Sequence, residues 1–325
     1  NLIVLGGGES GIGAAYLANK NGMNVFLSDI NIIENSYKKI LIDNKTGKTI
    51  KENKIIGVIT SRPLHVKINS TRKDAIFDVY YVDYLCVHKG WRKKNIAPQM
   101  IQTHEYNQRS NNPNVLVSLL KKEIDLFEGI IPLVKYNMLT YYIPPVHSHK
   151  LPPEFTIVPI SPSNINVLTD YLYNLTHISY NNVESLFDIC ILQDTSYYLS
   201  QIKSGTIYIY CLKHREHIYG IYFFKNTYTE YEDIEGNALM FSASIRNTNN
   251  NDVFYVGFLN SMHHLLKRNK KYKMLVVENI GHNAYILQHW DVYNKHVFNT
   301  NTAYYLYNFI YPSSPLLSSR TLILI

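Results

Sequence analysis

The feature that most constrains the fold of this 325-residue chain is the run Phe77-Asp78-Val79-Tyr80-Tyr81-Val82-Asp83-Tyr84-Leu85-Cys86-Val87 and the basic turn beyond it. The run is rich in β-branched and aromatic side chains and contains no Gly or Pro, which predicts a long strand. A basic stretch, Arg92-Lys93-Lys94-Asn95-Ile96-Ala97, leads into a helix expected over about Pro98 to Gln108. Proline in the first turn of that helix loses nothing by lacking an N–H. A strand that passes through a basic turn into a helix points backbone amides and the positive helix end at one place, which suits a phosphate. Asn95 stands where such a turn needs left-handed backbone, which Asn tolerates best after glycine. Ala97 keeps the approach close, and Arg92, Lys93 and Lys94 add charge. The hexapeptide alone fits equally a solvated basic turn at a helix start.

Elsewhere the pattern is α+β. Ile55 to Ile59 reads as a short strand followed by a basic extended segment, and Pro144-Pro145 with Leu151-Pro152-Pro153 brackets a linker. Beyond the linker, Ile207 to Leu212 and His217 to Phe224 read as paired strands. Val253 to Lys267 reads as a helix, Met274 to Val277 as a buried strand, Ala303 to Phe309 as a late strand, and Leu322 to Ile325 as an apolar strand closing the core. A strand, helix, strand order on each side of the linker predicts two similar halves, 45–153 and 154–325. Lys267 to Lys273 suits the cationic end of a helix better than a nucleic-acid contact.

Residues 1–44 read differently. Leu2 to Leu5, the glycines Gly6, Gly8 and Gly11, a helix over Ala14 to Lys20, and Val25 to Asp29 make a Rossmann-like βαβ start in which amides meet a phosphate and Asp29 reaches a sugar hydroxyl. The remaining strands of such a sheet are missing from the pattern. The opening resembles the start of the ligase that adds D-glutamate to UDP-N-acetylmuramoyl-alanine, but the chain has no glycine-rich Gly-Lys-[Ser/Thr] loop for ATP, so this segment is read as a graft.

Composition narrows the class. A 46% hydrophobic and 13% aromatic chain is ordered, and a net charge of +7 favours anionic partners without choosing among them. Three widely spaced cysteines, Cys86, Cys190 and Cys211, form no framework for disulfides or metal, which suits a reducing compartment. With no signal segment and no apolar run long enough to span a bilayer, a cytoplasmic protein with at most peripheral membrane association is expected. His147 and His149 are expected in solvent, and Cys86, His88 and His104 in structural roles.

The segment from Tyr84 to Pro98 resembles the signature of the N-myristoyltransferases, in which Phe-Leu-Cys-Val-His-Lys is followed by Arg-x-Lys-x-x-Ala-Pro. The approach Lys54-Ile55-Ile56-Gly57-Val58-Ile59 is similar to that family's Lys-Leu-Val-Gly-Phe-Ile. Tyr304-Tyr305-Leu306-Tyr307-Asn308-Phe309, with Pro312-Ser313 beyond, is similar to its terminal Tyr-Tyr-Leu-Tyr-Asn-Trp and Pro-Ser. The resemblance covers about residues 45–325. It implies tandem acyl-CoA N-acyltransferase-like (GNAT-like) halves with mixed sheets, the first binding acyl-CoA and the second peptide. It also implies a monomer that transfers myristoyl from myristoyl-CoA, a co-substrate and not a bound cofactor, to the N-terminal glycine amine of proteins.

The resemblance further implies that the amides at Tyr84-Leu85 form an oxyanion hole and that the Ile325 carboxylate takes the amine's proton. Leu85, Cys86, Val87, Arg92, Lys93, Lys94, Asn95, Ile96, Ala97 and Pro98 would hold the CoA. No metal and no nucleic acid is implied. The alternative is a non-catalytic acyl-CoA or peptide-binding relative. The chain departs from the family pattern at Leu119 to Glu123, where a Tyr-Thr-Ala-Gly strand is usual, and at Phe298-Asn299-Thr300, where Gly-Asp-Gly is usual. Both departures point to an altered peptide preference.

Overall fold

The structure is a computed structural model that describes residues 2–5, 25–28, 55–69, 75–127, 129–177, 186–231, 234–309 and 315–325. The chain forms two units, Asn1–Ile59 with Leu85–Gln102 and Thr60–Tyr84 with Thr103–Ile325.

In chain order the strands and helices are β1 (Leu2–Leu5), β2 (Val25–Ser28), β3 (Gly57–Ile68), β4 (Ala75–Val87), α1 (Ile96–Asn111), β5 (Val117–Glu123), β6 (Val134–Tyr142), β7 (Phe155–Pro159), α2 (Asn166–His177), β8 (Ile189–Leu192), α3 (Thr195–Lys203), β9 (Ile207–His214), β10 (His217–Tyr231), β11 (Ile234–Arg246), α4 (Asn251–Arg268), β12 (Tyr272–Glu278), α5 (Asn283–Tyr293), β13 (Phe298–Tyr307) and β14 (Thr321–Leu324). β1 and β2 pair in parallel as a separate small sheet. The other twelve strands form one mixed sheet in the order β14-β8-β3-β4-β5-β13-β6-β12-β11-β10-β9-β7.

Physical causes for these elements are local. β4 is the breaker-free run, extended by Ala75 and Ile76 at its start. Its buried residues Val79 and Tyr81 join the core against β5 and β13. α4 begins where the Asn250 side chain accepts the Val253 N–H at 3.1 Å and ends with Lys267 and Arg268 in its last turn, where cations suit the helix dipole. Its apolar face, Phe254, Phe258, Met262 and Leu265, packs on Tyr222, Phe224, Phe241 and Trp290. A buried side chain of that size contributes roughly 1.5–3 kcal/mol. β14 is buried along its whole length and pairs in parallel with β8, and Ile325 packs half-buried against the core cluster that contains Leu64, Val66 and Ile323.

The expected strands and helices recur with moved ends, such as β13 beginning at Phe298 and not Ala303. The helices α2, α3 and α5 have no counterpart among the elements expected from sequence. The glycine turn and helix over 6–24, Asp29, and Pro312-Ser313 lie outside the described residues.

Candidate functional site

In the first unit, the chain leaves β4 at Val87 and turns sharply. The His88 side chain accepts the Gly90 N–H at 3.2 Å, while the His88 N–H donates to Ile56 O at 2.8 Å. These two bonds explain His88 as a structural residue. Gly57 lies in close contact here, since a Cβ on it would stand 2.5 Å from Met100 Sδ, which would have to move, and 3.3 Å from Cys86 O. The Arg92 Nε donates to Val87 O at 3.2 Å, and Lys94 Nζ sits 4.7 Å from the centre of the Trp91 ring. Asn95 is left-handed, with φ of 58°, as its place in the turn demands. Lys93 is left-handed too, at 62°, which the sequence did not foretell.

Left-handed residues on either side of Lys94 fold the backbone into a concavity of N–H groups. α1 starts directly after it, with no acidic residue in its first turn to occupy the free amides. Arg92, Lys93 and Lys94 are exposed around it. Leu85, Cys86, Val87, Arg92, Lys93, Lys94, Asn95, Ile96, Ala97 and Pro98 therefore stand together in one unit. Their arrangement can hold a polyanion.

Tyr84 and Ile325 belong to the second unit. There the parallel register of β4 with β5 ends at Val82 and Leu120, while β5 continues against β13 as far as Glu123 and Thr302. β4 thus leaves its neighbour immediately before Tyr84, whose side chain is exposed. A strand that departs from a ladder opens its amides on that side to another acceptor.

Behind this opening lies a group of buried charges that sequence reasoning missed. Arg62 on β3 and Asp83 on β4 stand 2.9 Å apart, and Arg62 Nη1 donates to Gln193 Oε1 at 2.6 Å. The guanidinium lies 5.7 Å from the Tyr81 ring centre. Lys121 on β5 reaches Glu278 at the end of β12 at 2.8 Å and Glu123 at 3.0 Å, and the Tyr136 hydroxyl donates to Glu278 at 2.9 Å. Burial raises the Asp83 carboxyl, with Arg62 and Lys225 pulling it back. Burial lowers Lys121, but Glu278 and Glu123 outweigh it and hold the ammonium above its usual range. Lys225 on β10 is pushed down by burial and by Arg62, against the pull of Asp83 and Glu278. The signal in the sequence is a charge inside an otherwise apolar or aromatic strand, since such a charge persists only where it is paired or used.

A separate cleft of about 490 Å³ in the second unit is lined by His65, Lys67, Tyr173, Cys190 and Asp194 among others. His65 is clamped there between Asp78 at 2.7 Å and Asp194 at 3.0 Å. His147 and His149 are exposed, and His104 bonds Ser61 at 2.9 Å. Among the described residues no group of three His, Cys, Asp or Glu side chains is placed to hold a metal, and no helix is long and apolar enough to cross a membrane.

The large mixed sheet, in which β4 parts from its parallel neighbour, has a GNAT-like fold. Known proteins specify it further. Residues 37–126 match the family model of the Myristoyl-CoA:protein N-myristoyltransferase N-terminal domain, so the chain is similar to the N-myristoyltransferases in sequence as well as in fold. Crystal structures of Saccharomyces cerevisiae N-myristoyltransferase with bound myristoyl-CoA superpose with a TM-score of 0.59 at 12% identity, covering 83% of this chain and 67% of that one. A structure of the same yeast protein with myristoyl-CoA and inhibitors gives 0.58, also at 12% identity, over 83% and 68% of the two chains. A stretch of 40 residues is 60% identical to UDP-N-acetylmuramoylalanine--D-glutamate ligase of Christiangramia forsetii, and the chain spans only 9% of that protein's length.

Proposed function

We propose that this protein transfers the myristoyl group of myristoyl-CoA to the N-terminal glycine amine of proteins. The observation that carries the reading is the parting of β4 from β5 at Val82, just ahead of Tyr84-Leu85. The signature turn with its left-handed Lys93 and Asn95 gives it a second support. In this reading Leu85 to Val87 and Arg92 to Pro98 hold the CoA, with the pyrophosphate on the amides of the turn and the charges of Arg92, Lys93 and Lys94.

The thioester carbonyl lies against the amides of Tyr84 and Leu85, whose hydrogen bonds strengthen as its oxygen gains charge. The Ile325 carboxylate takes a proton from the substrate ammonium. The amine attacks, the N–C bond forms, the C–S bond breaks, and CoA leaves as the thiol. No covalent enzyme intermediate is needed.

The same reading assigns residues 45–153 to an acyl-CoA half and 154–325 to a peptide half related as tandem repeats. It treats 1–44 as a Rossmann-like graft without ligase activity, in keeping with the parallel pairing of β1 and β2. It also makes the protein a cytoplasmic monomer that engages membranes at most peripherally. The relevant experiment follows CoA thiol release by the whole chain given myristoyl-CoA and a Gly-initiated peptide, with and without Ile325. Turnover that falls by orders of magnitude on deletion, with folding intact, supports the base. Full activity without Ile325 removes that assignment. Tight myristoyl-CoA binding with no transfer to any Gly-initiated peptide would instead make the protein a binding relative.

A further inference from the structure

The chain has two tryptophans, and they are placed in opposite ways. Trp290 is 2% exposed within a core cluster, whereas Trp91 is 40% exposed and belongs to none of the hydrophobic clusters among the described residues. Lys89–Trp91 forms a single tight helical turn, closed by the Trp91 N–H donating to His88 O at 2.8 Å, so the indole stands on a fixed backbone. Exposure alone says little, since single apolar side chains are common on surfaces. The neighbours of the ring say more.

Arg92 follows Trp91 directly, and Lys94 Nζ stands 4.7 Å from the centre of the ring, within the range of a cation–π contact. Lys94 is also the residue flanked by the left-handed Lys93 and Asn95, whose turn gathers backbone N–H groups into an anion site. One ammonium therefore lies against an aromatic ring and borders a phosphate site. A ligand that satisfies both carries a phosphate and a flat aromatic base close together, which is the chemistry of a nucleotide. Stacking on an indole requires no base-specific hydrogen bond, only an accessible ring.

CoA carries that chemistry at one end, an adenosine with a phosphate on its 3′ oxygen and the pyrophosphate on its 5′ oxygen. We propose that Trp91 is the platform on which the adenine of CoA stacks, with Lys94 passing from the ring to the ribose phosphate while the turn holds the pyrophosphate. This inference rests on the acyl-CoA reading above and names the residue that receives the nucleotide base. Every residue it uses, from Trp91 to Asn95, lies in the first unit. No bond forms or breaks at Trp91, so it binds and does not catalyse.

Its test compares the whole protein with Trp91→Leu and Trp91→Phe, using adenosine 3′,5′-bisphosphate and inorganic pyrophosphate as probes. The bisphosphate carries the base and pyrophosphate does not. By calorimetry, Trp91→Leu is expected to bind the bisphosphate on the order of 10-fold more weakly, the scale of one base–aromatic stack, with pyrophosphate affinity unchanged. Trp91→Phe keeps a smaller ring and is expected to fall between. In turnover, the KM for myristoyl-CoA rises in Trp91→Leu by the same factor at unchanged kcat, because the stack is made equally in the ground and transition states. Wild-type fluorescence gives an independent reading: with Trp290 buried, the bisphosphate and myristoyl-CoA quench the exposed Trp91 and pyrophosphate does not. Equal bisphosphate affinity in wild type and Trp91→Leu, a parallel loss of pyrophosphate affinity, or myristoyl-CoA binding without quenching overturns the platform while leaving the transferase reading in place. A wild type that binds neither the probes nor myristoyl-CoA overturns both. Should Trp91→Leu fail to fold, quenching in the wild type decides alone.

Discussion

Glu278 is the most exacting single residue on which to test the buried ion cluster. Its side chain is 7% exposed and that of Lys121 is 15% exposed, with 2.8 Å between the charges. Replacing Glu278 with Leu removes the short, buried partner of the Lys121 ammonium, leaving only Glu123, which is 45% exposed and screened by solvent. It also deprives the Tyr136 hydroxyl of its acceptor. Breaking a buried pair by removing one partner costs about 3–5 kcal/mol, because the remaining charge stays desolvated.

The double change Lys121→Met with Glu278→Leu removes both charges and is expected to recover most of that loss, a coupling of about 2–3 kcal/mol. Urea unfolding is the assay, with a lower midpoint at unchanged slope as the mark of a pure stability change. The sign with pH is fixed by Lys121. Its ammonium is held above the usual lysine range, so the pair contributes fully below about pH 10.4 and fades only as pH rises through the folded value. A single-variant loss below about 1 kcal/mol at neutral pH, or a double variant that is simply additive, refutes the paired-charge account.

Two further outcomes are expected. Asn95→Val forces a β-branched residue into φ of 58° and should weaken myristoyl-CoA binding while costing at least about 1–2 kcal/mol of stability, whereas Asn95→Gly should do neither; equal affinity in both variants removes the turn from the CoA site. His282 is pushed down to about 4, by burial first and then by Arg246 and Arg320, and its Nδ1 accepts the Arg246 N–H at 2.7 Å. The unfolded ring protonates near 6.5 while the folded ring stays neutral, so stability should drop by roughly 3 kcal/mol as pH falls from about 6.5 to 4. A His282→Gln variant that shows the same pH dependence assigns that drop to other groups.

Much of this architecture is legible in local sequence. The β4 run, the basic turn with its left-handed Asn95, the α4 helix and the strand before Ile325 each carry their own pattern of side chains. What stays hidden depends on distant partners. α2 and α3 lie in segments where Tyr, Thr, Ser or Asn dilute the apolar period of a helix, and α5 spans only 11 residues. β5 holds Lys121, Lys122 and Glu123 in a row, a sequence that forms a strand because β13 and Glu278 complete it from far along the chain. Lys225 and Asp83 read as isolated charges until β3, β4, β5, β10 and β12 bring them to one face. The left-handed Lys93 has no residue-type signal at all.

The proposed activity meets its most direct test in the product. The whole protein is incubated with myristoyl-CoA and two peptides that differ only in beginning with Gly or Ala, and each peptide is sequenced by mass spectrometry. One myristoyl group on the α-nitrogen of the Gly peptide, with matching release of CoA thiol, is the expected result. Myristoyl-CoA consumed without modification of the Gly peptide, or acylation at any other nitrogen, contradicts it.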